Sequence, residues 1–126
     1  MTSHDAAPSN VDVTSVVANA AMKAARFLRI TNRELAEILG VSESAISRAA
    51  KGARPFTTNP KAREIAALFV RLYRSLDAIV GGDDNASATW LRSHNSALGR
   101  TPLEAIKSVA GLTTTLAYLD ARRGVV

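Results

Sequence analysis

The chain has 126 residues, a formal net charge of +5 at pH 7 and 47% hydrophobic residues. This length fits one compact domain or two small ones, and the apolar content is high enough for a folded core. The absence of cysteine excludes disulfides, thiol nucleophiles and thiolate metal sites. No apolar run approaches the roughly 20 residues that span a bilayer, and the first residues do not read as a signal peptide. We therefore expect a soluble, cytoplasmic protein without membrane contact.

Alanine, the strongest helix former, accounts for 23 residues and predicts a fold of packed helices. The positive charge is concentrated in residues 30–63, where six basic residues outnumber three acidic ones. A local basic surface is typical of proteins that bind nucleic acid, although many charged runs only contact solvent.

The N-terminal half reads as a series of helices. Residues 1–10 are small and polar and are expected to be disordered, and apolar residues then recur at helical spacing over Val11–Leu28. Thr31 and Glu34 predict a capping box at the start of a second helix, which Gly40 ends.

Further start and stop signals place the remaining helices. Ser42 caps a short helix that extends to about residue 51, and Asn59 with Pro60 starts the longest predicted helix, which ends near Val80. Its apolar stripe consists of Ile65, Leu68, Phe69, Leu72, Leu76 and Ile79.

Three more helices are predicted beyond the glycines at 81 and 82, over about 87–93, from Thr101, and over about 112–123. Thr101, Pro102 and Glu104 combine a cap, a first-turn proline and a capping-box glutamate. Gly111 is expected to end a helix and to let the next one pack closely. The pattern contains no strand ladder, so we predict an all-α fold.

Residues 30–52 contain the most specific motif of the sequence, two short helices joined by a tight turn. Close packing at a steep angle needs a small residue in the first helix, here Ala36, and a glycine at the turn, here Gly40. The apolar anchors are Leu35, Ile38, Leu39, Val41 and Ile46. This segment resembles the helix–turn–helix of the Xre/Cro family of phage-repressor-like regulators.

In such motifs the second helix enters the major groove of DNA with its N-terminal residues towards the base edges. The candidate base-reading residues are Ser42, Glu43, Ser44, Ser47 and Arg48, and the candidate phosphate contacts are Asn32, Arg33, Lys51 and Arg54. For Ser42 the alternative is helix capping alone, and for Arg33 and Arg54 it is a solvated surface charge. A helical hairpin without a role in DNA binding is the alternative for the whole segment.

The C-terminal segment resembles the toxin-binding domain shared by Xre, MbcA and ParS-type antitoxins. The positions that carry the resemblance are Trp90, Leu91, Asn95, Leu98, Gly99, Thr101, Pro102, Leu103, Gly111, Leu119 and Gly124. Arg100 departs from the pattern, because a small residue is common there, and the segment after Gly111 carries less charge than usual. These departures concern which toxin surface is recognised.

The resemblance implies a partner, a RES-domain toxin that degrades NAD, whose active site is obstructed by the C-terminal end of the antitoxin. The implied toxin contacts are Trp90, Arg122, Arg123, Gly124, Val125 and Val126. It also implies binding to the chain's own promoter DNA in a bacterial cytoplasm, with nucleoid association when DNA is bound. Taken alone, Trp90 is most simply a core anchor and the C-terminal end a frayed helix.

These features divide the chain into a tail (1–10), a DNA-binding region (11–58), a connecting helix (59–82) and a toxin-binding domain with its C-terminal tail (83–126). The alternative function is a dimeric helix–turn–helix repressor whose C-terminal half only dimerises. Both functions predict a homodimer, with the stripe of the longest helix or Val11–Leu28 as its interface unless these residues are buried in the monomer. No catalytic constellation, metal site or cofactor site can be assembled, and His94 has no partner for a metal site.

Overall fold

The computed structural model describes residues 10–124, which contain seven α-helices and one 3₁₀ turn. The helices are α1 (Asn10–Phe27), α2 (Asn32–Leu39), α3 (Glu43–Ala50), α4 (Pro60–Ile79), α5 (Asp84–Arg92), α6 (Pro102–Ala105) and α7 (Val109–Arg122), with the 3₁₀ turn at Phe56–Thr58. No residue in this range belongs to a strand, so the predicted all-α class is confirmed. Residues 1–9 of the expected disordered tail lie outside the described residues, and Asn10 is the first residue of α1.

The helix boundaries follow from hydrogen bonds between side chains and the nearby backbone. The hydroxyl of Thr31 accepts from the backbone N–H of Glu34 at 3.1 Å, and the Glu34 carboxylate accepts from the backbone N–H of Thr31 at 2.9 Å. The predicted capping box is therefore present. Gly40 ends α2 at φ = 71°, in the left-handed region that favours glycine. Ser42 and Asn59 cap α3 and α4 through their side chains, as predicted.

The C-terminal helices depart from the prediction in two places. Thr101 caps α6, but the Glu104 carboxylate accepts from Lys107 at 2.9 Å instead of returning to Thr101, so only half of a capping box forms. Gly111 does not end a helix, because it lies in the first turn of α7. Its second predicted role is confirmed, since a Cβ there would come within 1.8 Å of the carbonyl oxygen of Ala105. Only glycine lets α7 begin this close to α6.

Helix α4 lies at the centre of the core and packs against both α1 and α7. Its predicted stripe is buried at Ile65, Phe69, Leu72 and Leu76, whereas Ile79 at the end of the helix is 38% exposed. A single cluster of buried apolar side chains runs from α1 through α4 to α7. The helix predicted to connect two regions therefore supplies core residues to both of them.

Burial within the monomer accounts for the apolar stripe of α4, so most of this stripe is not free to form a dimer interface. The inner face of α1 is also buried, at Ala18, Ala21 and Ala25, but Val16 on the same helix is 67% exposed. None of the helices in the described range is long and apolar enough to cross a membrane.

Substitution Gly111→Ala tests the close approach of α6 and α7. We expect a loss of about 1–3 kcal/mol in the free energy of unfolding, because the added methyl group overlaps a backbone oxygen that cannot move independently. Urea unfolding measures this loss. Ala117→Ser at an exposed position of α7 is the matched control and should change the free energy by less than about 0.5 kcal/mol. An unchanged unfolding midpoint for Gly111→Ala would contradict the packing described.

Candidate nucleic-acid and partner interfaces

The turn between α2 and α3 fixes how these two helices pack. The backbone N–H groups of Gly40 and Val41 both donate to the carbonyl oxygen of Ala36, at 2.9 and 3.1 Å. The predicted anchors are buried at Leu35, Ile38, Leu39 and Ile46 and half-buried at Val41. These core contacts fix the orientation of α3, so the same side of the helix always faces solvent.

The exposed side of α3 carries the predicted base-reading residues. Ser42, Glu43, Ser44 and Arg48 are exposed, and Ser47 is half-buried. The Ser42 hydroxyl oxygen accepts from the backbone N–H of Ala45 at 3.0 Å, so it caps the helix while its own hydrogen stays available to a ligand. The Arg48 guanidinium has no hydrogen bond or ion pair within residues 10–124. It is free to donate two parallel bonds to an acceptor such as guanine.

The predicted phosphate contacts surround this face. Asn32 and Arg33 lie in the first turn of α2, Lys51 follows the last residue of α3, and Arg54 lies in the loop beyond it. All four are exposed. None of their side chains forms an ion pair in the described part of the chain. The structure therefore brings three cationic side chains without counterions to the margins of α3.

The two glutamates of α2 are paired with cations from the C-terminal part of the chain. Glu34 receives two hydrogen bonds from Arg92 of α5, at 2.8 and 3.0 Å. Glu37 forms an ion pair with Lys107, which lies between α6 and α7, at 3.2 Å. Two of the three acidic residues in the basic segment are thus paired with cations of the same chain, and only Glu43 lacks an ion pair in the described range. Sequence patterns did not reveal these pairs, because the partners are far apart in the chain.

The Arg92 guanidinium also anchors the connection between α1 and α2. Besides binding Glu34, it donates to the carbonyl oxygen of Arg29 at 2.8 Å. Arg29 adopts φ = 57°, an uncommon left-handed conformation for a residue with a side chain, and its own guanidinium binds the carboxamide of Asn85. The hydrogen bonds from Arg92 lower the pKa of Glu34 from 4.5 to about 2. We name the cluster of Arg29, Glu34, Asn85 and Arg92 the arginine joint.

A groove beside α3 adds residues that the sequence pattern did not single out. It has a volume of about 480 Å³ and lies between α1, α2 and α3, with Met22, Ile30 and Leu35 among its apolar lining. Lys23 and Arg26 of α1 also line it, and both are exposed. Their helix carries no recognisable nucleic-acid motif, so only the folded structure places these cations beside α3.

The predicted toxin contact Trp90 is half-buried on α5 and is stacked against Tyr118 of α7. The ring centroids are 6.4 Å apart and the planes are inclined by 17°. The Arg122 guanidinium lies 5.6 Å from the centre of the Tyr118 ring, and its Nη1 donates to the Tyr118 hydroxyl at 3.3 Å. The structure thus brings two of the predicted toxin contacts, Trp90 and Arg122, against the same tyrosine.

The other predicted toxin contacts lie at the end of α7. Arg123 follows its last residue and donates to the hydroxyl of Ser75 on α4 at 2.9 Å. That hydroxyl in turn donates to the Asp120 carboxylate at 2.7 Å, and Arg71 forms an ion pair with the same carboxylate at 3.0 Å. Arg122, Arg123 and Gly124 are exposed, and Val125 and Val126 lie outside the described residues.

The loop between α5 and α6 is held together by hydrogen bonds among its own residues. Asn95 accepts from the backbone N–H of Leu98 through its side chain, and its backbone pairs with Gly99 and Arg100. Gly99 adopts φ = 75°. These contacts confirm Asn95 and Gly99 as loop-forming residues. Within the described range no group of His, Asp or Glu side chains could hold a metal ion, and His94 is exposed.

Two family models match the chain. Residues 8–71 match the antitoxin Xre-like helix-turn-helix domain, and residues 75–124 match the antitoxin Xre/MbcA/ParS C-terminal toxin-binding domain. The chain belongs to the Xre-like antitoxins. No individually curated protein matches it. As an Xre-like antitoxin with both domains, it has two implied partners, a toxin and DNA. The arginine joint links these two domains, since Glu34 lies in the first match and Arg92 in the second.

Substitution Glu34→Gln tests the arginine joint through its pH dependence. A carboxylate whose pKa falls on folding stabilises the antitoxin above its unfolded pKa, and this stabilisation is lost as the pH falls through the folded value. The wild-type chain should therefore exceed Glu34→Gln in free energy of unfolding by about 1 kcal/mol at neutral pH, since Arg92 is partly exposed and its charge is screened. The difference should shrink between pH 4.5 and about 2.

Denaturant unfolding at a series of pH values measures this difference. Glu64→Gln, at an exposed glutamate of α4 without an ion pair in the described range, is the control and should show no such convergence. A gap between wild type and Glu34→Gln that stays constant down to pH 2 would be incompatible with the joint described.

Proposed function

We propose that this antitoxin binds and neutralises a RES-domain toxin that degrades NAD, by obstructing the toxin's active site, and that it represses its own promoter. One combination of features supports this most. The surface of α2 and α3 carries cations without ion pairs in the described range, and a domain of the toxin-binding family shares the same hydrophobic core. The role requires no cofactor and no catalytic group on the antitoxin, so we also propose that the chain is not an enzyme.

In the proposed complex with promoter DNA, α3 lies in the major groove. Arg48 donates two hydrogen bonds to a guanine and Glu43 accepts from a cytosine. The neighbouring base edges are reached by Ser42, Ser44 and Ser47, and the phosphates by Asn32, Arg33, Lys51 and Arg54. Their exposure and the lack of internal ion pairs among these cations in the described range support this assignment.

A homodimer is part of the proposal, because helix–turn–helix proteins of this type read two half-sites about one helical turn apart. The apolar stripe of α4 is largely buried in the monomer, so we assign the dimer contact to the outer face of α1. Val16 is 67% exposed there, and Phe27, further along the helix, is 37% exposed.

In the proposed complex with the toxin, the end of α7 enters the active site. The residues assigned to this contact are Arg122, Arg123, Gly124, Val125 and Val126, with Trp90 contributing from α5. The exposure of Arg122, Arg123 and Gly124 supports the assignment. The hydrogen bond between Arg123 and Ser75 ties the base of this segment to the core, which limits the entropy that the segment loses when it binds.

Co-expression tests the pairing directly. The neighbouring reading frame is expected to encode the RES-domain toxin, and its induction should stop growth and deplete cellular NAD. The antitoxin should restore both growth and the NAD level. Continued arrest in cells that contain soluble antitoxin would refute the toxin half of the proposal.

Substitution Arg48→Ala should weaken binding to the promoter by about 1–3 kcal/mol, because it removes a two-bond contact with a base. Neutralisation of the toxin should remain. Mobility-shift titrations at fixed salt measure the loss, and Arg100→Ala, which removes an exposed cation of the loop between α5 and α6, serves as the control. Unchanged promoter affinity would remove Arg48 from the base-reading set.

Deletion of residues 122–126 should abolish or strongly weaken neutralisation and leave promoter binding nearly unchanged. Growth rescue and promoter titration on the same variant measure the two effects. Arg123→Gln is the control for the lost hydrogen bond to Ser75, and it should retain more neutralising activity than the deletion. Full rescue by the deleted chain would show that the end of α7 is not the obstructing segment.

A further inference from the structure

Besides the groove beside α3, the chain has a cavity in the toxin-binding domain, at the start of α7 and away from the C-terminal segment. Its volume is about 240 Å³, and it lies between the loop at 98–100 and the first two turns of α7. Its lining includes Arg100, Ser108, Gly111, Thr114 and Thr115. Gly111 at the cavity and Arg122 at the end of α7 are 11 residues apart, so at a rise of about 1.5 Å per residue they are separated by about 16 Å along the helix.

The polar lining of this cavity consists of hydrogen-bond donors and one cation. Arg100 is exposed, and its guanidinium has no hydrogen bond or ion pair within residues 10–124. Ser108 and Thr114 add hydroxyl groups to the lining, and the Ser108 hydroxyl oxygen already accepts from the backbone N–H of Gly111 at 3.0 Å. No carboxylate lines the cavity. Such a lining favours a ligand that is anionic and accepts several hydrogen bonds.

Thr115 supplies an independent sign of a missing partner. Its side chain is fully buried, yet its hydroxyl has no hydrogen bond among the described residues. The buried hydroxyls of Thr57 and Ser75, in contrast, donate to the carbonyl oxygen of Thr14 at 2.5 Å and to Asp120 at 2.7 Å. A buried hydroxyl without a partner is destabilising, and Thr115 is among the residues that line the cavity. Its hydroxyl is closed to solvent in the free chain, so an acceptor in the cavity reaches it only if the Thr115 side chain moves on binding.

We propose that this cavity receives the carboxylate of an aspartate or glutamate side chain of the toxin. The carboxylate pairs with the Arg100 guanidinium and accepts from the hydroxyls of Thr114 and Thr115. This inference rests on the proposed function and adds to it a second point of contact, about two to three turns of helix from the segment that obstructs the active site. It also gives Arg100 a role in the choice of partner.

Toxin-binding titrations with two antitoxin variants test the proposal. Arg100→Glu should weaken toxin binding about 10- to 100-fold, because it replaces an attraction with a repulsion at a partly enclosed site. Thr115→Val keeps the shape of the side chain and should weaken binding by several-fold while raising the thermal unfolding temperature of the free antitoxin. If Thr115 were only a packing residue, the stability would rise and the affinity would not change.

Two matched variants control for general effects of charge and burial. Lys61→Glu makes the same change in net charge at an exposed site on α4, and Ser87→Ala removes the other buried hydroxyl without a partner in the described range. Both should bind the toxin within about twofold of wild type, as expected for sites that share no contact with the interface. Replacing one exposed aspartate or glutamate of the toxin with lysine should restore the toxin's binding to the Arg100→Glu antitoxin. Wild-type affinity for Arg100→Glu, or the absence of any restoring substitution, overturns the proposal.

A measurement without toxin separates this inference from the proposed function. Sodium acetate, compared with sodium chloride at equal ionic strength, should shift the amide resonances of Gly111, Thr114 and Thr115 in a saturable manner in the isolated antitoxin. The shifts should disappear in Arg100→Glu. If acetate produces no saturable shift, the cavity is not a carboxylate site, whether or not the chain neutralises a toxin. If acetate binds but the wild-type chain fails to bind the RES-domain toxin, the cavity stands and the proposed partner is wrong.

Discussion

The paired hydrogen bonds between Arg92 and Glu34 fix the contact between α2 and α5, across the two domains that the core of α4 holds together. The same carboxylate that receives Arg92 also caps the first turn of α2, so one side chain sets both the start of a helix and its contact with the other domain. Arg92 further holds the carbonyl oxygen of Arg29, where the chain turns from α1 into α2. These bonds hold the start of α2 against α5, and the turn at Gly40 sets the position of α3 relative to α2.

Pairing within the molecule also sorts the charges of the DNA-binding domain. Glu34 and Glu37 face cations from the C-terminal part of the chain, whereas Arg33 and Arg48 face solvent without counterions in the described range. The exposed surface is therefore more basic than the sum of charges in the segment suggests. The number of basic residues is modest, so the attraction for phosphates depends on Glu34 and Glu37 being paired with cations from outside the segment.

Local signals in the sequence were sufficient to predict most helix boundaries. The caps at Thr31, Ser42 and Asn59 depend on side chains within three residues of the backbone groups that they bind, so they can be recognised without the fold. Contacts between distant residues could not be predicted in this way. The pair of Glu34 and Arg92 spans 58 positions, and nothing near either residue specifies its partner.

The same distinction applies to the candidate sites. The exposed residues of α3 follow from the periodicity of a short amphipathic helix, so the sequence could propose them one by one. The cavity beside Thr115 depends on how close α7 begins to α6, which Gly111 permits but does not by itself predict. Likewise, the hydrogen bond from Arg123 to Ser75 depends on α4 and α7 lying side by side.

The central position of α4 restricts how antitoxins of this architecture can exchange parts. The two family matches meet within this helix, at residues 71 and 75, yet its apolar side chains are shared by the cores on both sides of that boundary. A recombinant that joins the DNA-reading half of one antitoxin to the toxin-recognising half of another must preserve the packing of α4 against α1 and α7. It must also bring together compatible charges at positions 34 and 92 and at 37 and 107. New pairings of operator and toxin are therefore reached more readily by surface substitutions than by shuffling of whole domains.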